Sequence, residues 1–143
     1  MHFEISHEFD VPIDALELAL MSPELGPLMG KELDAFEQVA PLEHHVTDDA
    51  FHRVWKFQAR APLKILSGYD ITREMMMWHE SFTYDRNTHR AEFLVIPRPG
   101  IEPDARWRDH VHAGGTYRLE PLSDGRTRRT VSGDLDIRFK LIG

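Results

Sequence analysis

The sequence predicts an α+β fold in which two short helices follow the first strand and an antiparallel sheet of about seven strands forms the rest. Polar and apolar residues alternate over residues 127–141, with Val131 and Leu135 in the apolar register. A side-chain period of two over so long a run indicates a strand with one buried face. The preceding Asp124-Gly125 pair is a strong hairpin signal. Together these observations predict an antiparallel hairpin in the last part of the sequence.

One strand and two helices are predicted before the main part of the sheet. The apolar register of the first strand contains Phe3, Ile5, His7 and Phe9. A helical period then predicts a helix over residues 12–21, with Asp10 as its N-cap and Pro12 near its first position. Ser22-Pro23 interrupts that period, so a second short helix is predicted over residues 23–31.

Six further strands are predicted where alternating runs are separated by turn residues. They cover residues 36–46 (a poor strand interrupted by Pro41), 51–59, 75–84, 89–96, 112–122 and 127–141. A bent connection is expected over residues 63–71. The proline-containing stretch 98–109 is expected to form a long loop and the mobile rim of a cavity.

Composition restricts the class of protein and its partners. A length of 143 residues gives room for a single domain, residues 1–143. A formal charge of −7 argues against nucleic acid and anionic membrane surfaces as partners, because both select a basic face. The absence of cysteine excludes thiol chemistry and cysteine-bound metal. No apolar run approaches the roughly 20 residues of a membrane span, so we expect a cytoplasmic protein without stable membrane insertion.

The sequence contains groups suited to a metal or catalytic site, but no spacing that defines one. His110 and His112 would share one face of a strand, yet no third ligand follows at a fixed distance. Neither a Gly-x-Ser-x-Gly nucleophile motif nor a glycine-rich phosphate loop is present. We therefore predict no metal, no cofactor and no catalytic residue. Enzymatic activity is left open, with ligand binding favoured.

Three polar residues occupy the apolar register of their strands: His7, Arg53 and Glu80. A charge that faces a dry interior costs several kcal/mol unless it is paired, so each of them needs a partner. One interpretation is a cross-strand ion pair between Arg53 and Glu80. A second is a polar anchor for the head group of a ligand. A general acid–base pair is a further alternative.

The element order resembles that of the START-like helix-grip superfamily (SRPBCC), which includes polyketide cyclases and lipid-transfer-like proteins. The Gly-x-x-x-Leu-x-Pro run at Gly115–Pro121 and the Ser132-Gly133-Asp134 stretch resemble uncharacterised bacterial members. The resemblance implies a curved sheet that grips a cavity, with the strands of Arg53 and Glu80 side by side. It implies binding or transport of a small hydrophobic or lipid-like ligand. The alternatives are a cyclase- or aromatase-type enzyme that uses the same cavity and a regulatory protein-interaction domain.

Alternation and resemblance together predict which residues line the cavity. The predicted ligand-binding residues are His7, Arg53, Trp55, Phe57, Trp78, Glu80, Phe82, Phe93, Trp107, Tyr117, Leu135 and Ile137. Phe51, Leu119 and Val131 are expected to point inward beside them. Trp107, an aromatic residue in an otherwise polar loop, is expected to cap the cavity mouth or to meet a partner.

In the superfamily a long C-terminal helix lies across the sheet, and the sequence up to Gly143 shows none. The apolar row that includes Val131 would then leave a groove larger than monomers usually expose. We expect a ligand, a helix from elsewhere or a second copy to cover this groove. A second copy in the groove would make the protein a homodimer.

Overall fold

The computed structural model describes residues 1–60, 77–97 and 111–137. Its elements are β1 (His2–Phe9), α1 (Ile13–Leu20), α2 (Leu25–Glu32), β2 (Phe36–Val46), β3 (Ala50–Ala59), β4 (Met77–Asp85), β5 (Arg90–Pro97), β6 (Val111–Pro121) and β7 (Thr127–Ile137). The predicted order of one strand, two helices and six strands is confirmed. The predicted connection at 63–71, the loop at 98–109 and the end of the last predicted strand lie outside the described residues.

The strands form one antiparallel sheet in the order β1-β7-β6-β5-β4-β3-β2. β1 and β2 are therefore the two edges of this sheet, although only the two helices lie between them along the chain. The chain has to cross from one edge to the other, and α1 and α2 make that crossing over one face. We call the face that they cover the inner face. The predicted α+β class with a curved antiparallel sheet is confirmed.

Two groups of buried apolar side chains lie between the helices and the inner face. The first packs against α1 and contains Leu20, Phe51, Phe82, Tyr84, Ala91, Tyr117 and Leu119. The second packs against α2 and contains Val39, Trp55 and Phe57. Trp78, Phe93 and Val131 pack against these groups while partly buried. The predicted inward direction of these apolar registers is therefore confirmed.

The hairpin between β6 and β7 has the predicted position. Pro121 pairs with Thr127 at its base. Gly125 adopts a φ of 84°, a conformation that glycine reaches without the steric cost of a Cβ atom. The resulting register pairs Tyr117 with Val131, which places both side chains on the inner face.

One local prediction is wrong, and the predicted interruption of β2 is confirmed only as a shift of register. Asp10 does not cap α1, because Pro12 occupies the N-cap position. The Asp10 carboxylate instead accepts a hydrogen bond from Arg126 Nε at 2.9 Å. β2 is continuous through Pro41, with a shift of register directly after it. An edge strand tolerates proline because the missing N–H is not needed for a second neighbour.

A pair of glycines lets β6 and β7 approach closely at the inner face. Gly115 pairs with Gly133, and a Cβ atom on Gly115 would lie 2.1 Å from the Ser132 carbonyl oxygen. A Cβ atom on Gly133 would lie 2.5 Å from the Gly114 carbonyl oxygen and 3.1 Å from Phe3 Cζ. Neither position has room for a side chain.

Replacing Gly115 with alanine should lower the free energy of unfolding by roughly 1–3 kcal/mol, because the added methyl group has to displace backbone atoms. Urea unfolding followed by circular dichroism measures the change. Gly114→Ala is the matched control, since its nearest contact would be at 3.1 Å, to the Phe93 carbonyl oxygen. Gly114→Ala should lower the free energy of unfolding less than Gly115→Ala does. Equal decreases would contradict the close approach of β6 and β7.

Candidate functional site

Aromatic rings form a wall of two groups on the inner face. Phe57 stacks on Trp78 with ring centroids 5.4 Å apart and an interplanar angle of 6°, as expected for two directly paired residues. The Phe82 ring lies 5.7 Å from Phe51 and 5.3 Å from Tyr117, with the Tyr117 contact edge-on. Such a wall is suited to flat or apolar ligands.

The predicted ligand-binding residues fall into groups by position. Arg53, Trp55, Phe57, Phe82 and Tyr117 are buried on the inner face. Trp78, Glu80, Phe93 and Leu135 are partly buried on the same face. His7 is exposed on the edge strand β1. Trp107 and the side chain of Ile137 lie outside the described residues. The structure brings the first two groups together, and their role in ligand binding stays a prediction.

The Arg53 side chain lies among aromatic rings, with an exposed fraction of 6%. Its Cζ is 3.7 Å from the Trp55 ring centroid and 4.4 Å from the Phe82 centroid. Nη1 donates to the Leu20 carbonyl oxygen at 3.1 Å, whereas Nε has no hydrogen-bond partner among the described residues. Burial lowers the pKa of Arg53 to about 10, with Glu80 acting in the opposite direction. The guanidinium therefore remains charged at neutral pH.

Glu80 lies diagonally across from Arg53, because Trp55 pairs with Glu80 and Arg53 pairs with Phe82. Their strands are neighbours, as the resemblance implies. Within the described residues the two side chains interact electrostatically and make no direct ion pair. Burial raises the pKa of Glu80, and the charge of Arg53 offsets only part of this effect. The interpretation as a closed cross-strand ion pair is therefore wrong.

A second polar group lies on β6 and β7. Tyr117 is 7% exposed, and its hydroxyl has no hydrogen-bond partner among the described residues. Arg129 Nη2 donates to His7 Nδ1 at 2.9 Å, while its buried Nε is also unpartnered in that part of the chain. Burial raises the pKa of Tyr117 against the effects of Arg129 and Arg53. Sequence reasoning missed Arg129, although it shares the apolar register of Val131.

Sequence reasoning also missed a buried carboxylate on α1. Glu17 is 4% exposed and accepts a hydrogen bond from the Tyr84 hydroxyl at 2.7 Å. His89 Nδ1 bonds the same carboxylate oxygen, and Arg86 Nε lies 3.8 Å from the other. These contacts attach α1 to β4 and to the turn that follows it. The signal was present in the sequence, because Glu17 lies three residues before Leu20 on the apolar stripe of the helix.

The outer face of the sheet also has a groove, with a volume of about 510 Å³. Exposed polar side chains line it, among them Thr83, Glu92, Thr116 and Arg118. The buried, unpartnered side-chain atoms of the described residues all lie on the inner face instead. A buried donor without an acceptor is costly, so the inner face is the better candidate site.

The described residues form neither a metal centre nor a membrane-spanning helix. Over residues 1–60, 77–97 and 111–137, no three histidine, aspartate or glutamate side chains come together to hold a metal ion. Neither α1 nor α2, the helices of this part of the chain, is long and apolar enough to cross a membrane.

Comparison with known proteins connects this geometry to a fold. No protein-family model and no curated protein matches the chain. The Zhui aromatase/cyclase from Streptomyces sp. R1128 is 16% identical with a TM-score of 0.62, over 97% of this chain and 69% of its own. Norcoclaurine synthase from Thalictrum flavum is 13% identical with a TM-score of 0.63, over 96% and 76%. Ara h 8.0201 is 16% identical with a TM-score of 0.54, over 98% and 79%.

The chain has the helix-grip fold. The resemblance to START-like proteins is thereby confirmed at the level of the fold, and identities of this size show the fold alone. A fold does not define a function, so the ligand or reaction of this chain depends on its own residues.

Tyr84→Phe should lower the free energy of unfolding by roughly 1–3 kcal/mol, because it removes the hydroxyl that donates to the buried Glu17 carboxylate. Tyr117→Phe is the matched control, another buried tyrosine of the inner face whose hydroxyl has no partner among the described residues. Removal of the Tyr117 hydroxyl should leave the free energy of unfolding unchanged or raise it. Urea unfolding of both variants decides, and a larger loss for Tyr117→Phe would contradict the assigned contacts.

Glu80→Gln should reveal the cost of burying the ionised carboxylate. Because the folded-state pKa of Glu80 is raised from 4.5, its stabilising contribution is present below 4.5 and is lost as the pH rises through the folded value. The glutamine variant should therefore be more stable than the wild type at pH 7, and the difference should shrink on acidification. Unfolding at a series of pH values tests this. A difference that grows as the pH falls would mean that the fold stabilises the carboxylate.

Proposed function

We propose that the protein binds a small, largely apolar molecule between its helices and the inner face, and that it carries this molecule without changing it. The observation that supports the proposal is an aromatic wall with two buried donors, Arg53 Nε and Tyr117 Oη, that have no acceptor among the described residues. Each such group costs roughly 1–3 kcal/mol. A bound molecule with a hydrogen-bond acceptor would remove that cost, whereas packing alone would leave it.

The helix-grip neighbours support the same ligand class. Norcoclaurine synthase from Thalictrum flavum has been solved in complex with dopamine and hydroxybenzaldehyde, which are small aromatic molecules. Lipid-like ligands fit the same wall, because apolar burial is not directional. We place this function in the cytoplasm, as the sequence predicts, and the homodimer stays a prediction.

An enzyme of the cyclase or aromatase type is the second candidate. It is favoured by the charged Arg53 beside Glu80 in the same wall. One structural neighbour, the Zhui protein, is an aromatase/cyclase. A carrier would return its ligand unchanged, whereas an enzyme would release a product of different mass or structure.

Native mass spectrometry of the gently purified protein should show an excess mass that organic extraction removes. The extracted molecule is then returned to the stripped protein and recovered after incubation. Recovery of the same molecule supports carriage, and recovery of an altered molecule supports the enzyme. A protein that is empty and binds no hydrophobic probe would contradict both.

Ala113→Trp should weaken binding of the neutral probe N-phenyl-1-naphthylamine by about ten-fold or more, a loss of about 1.4 kcal/mol. Ala113 lies on the inner face between Val95 and Leu135, so the indole would occupy ligand space. Probe fluorescence measures the affinity. Thr116→Trp, on the exposed outer face of the same strand, is the matched control and should bind normally. Equal losses in both variants would remove the inner face as the site.

A further inference from the structure

We infer that the ligand is an organic anion whose acidic group is held between Arg53, Tyr117 and Arg129. This inference rests on the proposed function and specifies its ligand class: an apolar or aromatic body that carries one carboxylate, sulfonate or similar group.

The unpartnered atoms of this region are all hydrogen-bond donors. Arg53 Nε and Arg129 Nε can only donate hydrogen bonds, and the Tyr117 hydroxyl has a proton to donate. None of these buried atoms has a partner among the described residues. A set of donors without an acceptor calls for a ligand group rich in acceptors, and a charged oxygen is the strongest of these.

These donors act on one another. Burial raises the pKa of Tyr117, whereas the charges of both guanidinium groups lower it, and Arg129 also lowers it through its side-chain donors. The Arg53 guanidinium lies 4.4 Å from the Phe82 ring centroid, and that ring lies 5.3 Å from the Tyr117 ring. Arg129 reaches the same region from β7, because its pairing partner Leu119 is two residues from Tyr117 on the same face. The three donors therefore surround one region of the inner face.

The charges of the described residues around Arg53 and Arg129 do not cancel. Arg53 and Arg129 bring two positive charges to the inner face, and Glu80 acts on Arg53 with one negative charge. Glu80 makes no direct contact with Arg53 within the described residues, and burial works against its ionised form. The neighbour of Arg129 is His7, which does not compensate a cation. Counted over these described residues, the region keeps a positive excess, which a ligand anion would neutralise.

The test compares two probes that share one ring system. 1-Anilinonaphthalene-8-sulfonate carries a sulfonate, and N-phenyl-1-naphthylamine is the same molecule without it. Fluorescence titration gives both affinities, and their ratio measures preference for the anion. We expect the wild type to prefer the sulfonate, and Arg129→Gln to lower the ratio by about ten-fold, since one charge-assisted hydrogen bond is lost. Tyr117→Phe should lower the ratio less, because a neutral donor is removed.

Arg128→Gln is the control, because Arg128 adjoins Arg129 in sequence but points to the outer face and pairs with Glu8 at 3.2 Å. The ratio of the two probe affinities in this variant should match that of the wild type. Cooperative urea unfolding confirms that each variant is folded. If Arg129→Gln is unstable, Arg129→Lys replaces it; this variant keeps the charge and should retain most of the preference for the sulfonate. If the ratio is equal in all variants and the neutral probe still binds, the inference of an anionic ligand is overturned and the proposed function stays intact. If neither probe binds, the proposed function itself fails and the inference falls with it.

Discussion

The inner face of the sheet has to be removed from water, and most of the structure follows from this constraint. α1 and α2 provide the cover, and α1 is held at two points: Glu17 accepts from Tyr84, and the Leu20 carbonyl accepts from Arg53. Arg53 thus holds the end of the covering helix and also lies within the aromatic wall. The stability of the fold and the chemistry of the candidate site depend on the same side chain.

Magnitudes explain why Arg53 is incompletely compensated where it lies. Burying a charge costs several kcal/mol. One hydrogen bond from a charged group returns about 1.5–3 kcal/mol, and cation–π contacts such as those with Trp55 and Phe82 return about 0.5–2 kcal/mol each. The lowered pKa of Arg53 also indicates a net cost of burying its charge, because desolvation outweighs the attraction of Glu80. The remaining deficit is what an acceptor at Nε would reduce, so the site gains from a ligand more than from further packing.

Alternation was sufficient to predict the strands, their inner faces and the hairpin at Asp124-Gly125, because a period of two is a property of local sequence. It was not sufficient for contacts between distant elements. Asp10 lies where an N-cap is normally found, yet the Arg126 guanidinium, brought near by the pairing of β1 with β7, binds it instead. Glu17 and Arg129 were missed for a related reason. Each lies in the apolar register of its own segment, but its partners are on other elements and cannot be read from that segment.

Protonation states on the inner face bear on whether it binds or catalyses. Arg53, with a pKa of about 10, is charged at neutral pH. Burial raises the pKa of Tyr117 above its ordinary value of 10.0, so its hydroxyl keeps its proton. Both are fixed donors that do not exchange protons with a ligand under neutral conditions. Of these wall residues, Glu80, whose pKa burial raises, is the one suited to proton transfer. An enzyme on this face would need Glu80 as its acid or base, whereas a carrier needs only the donors.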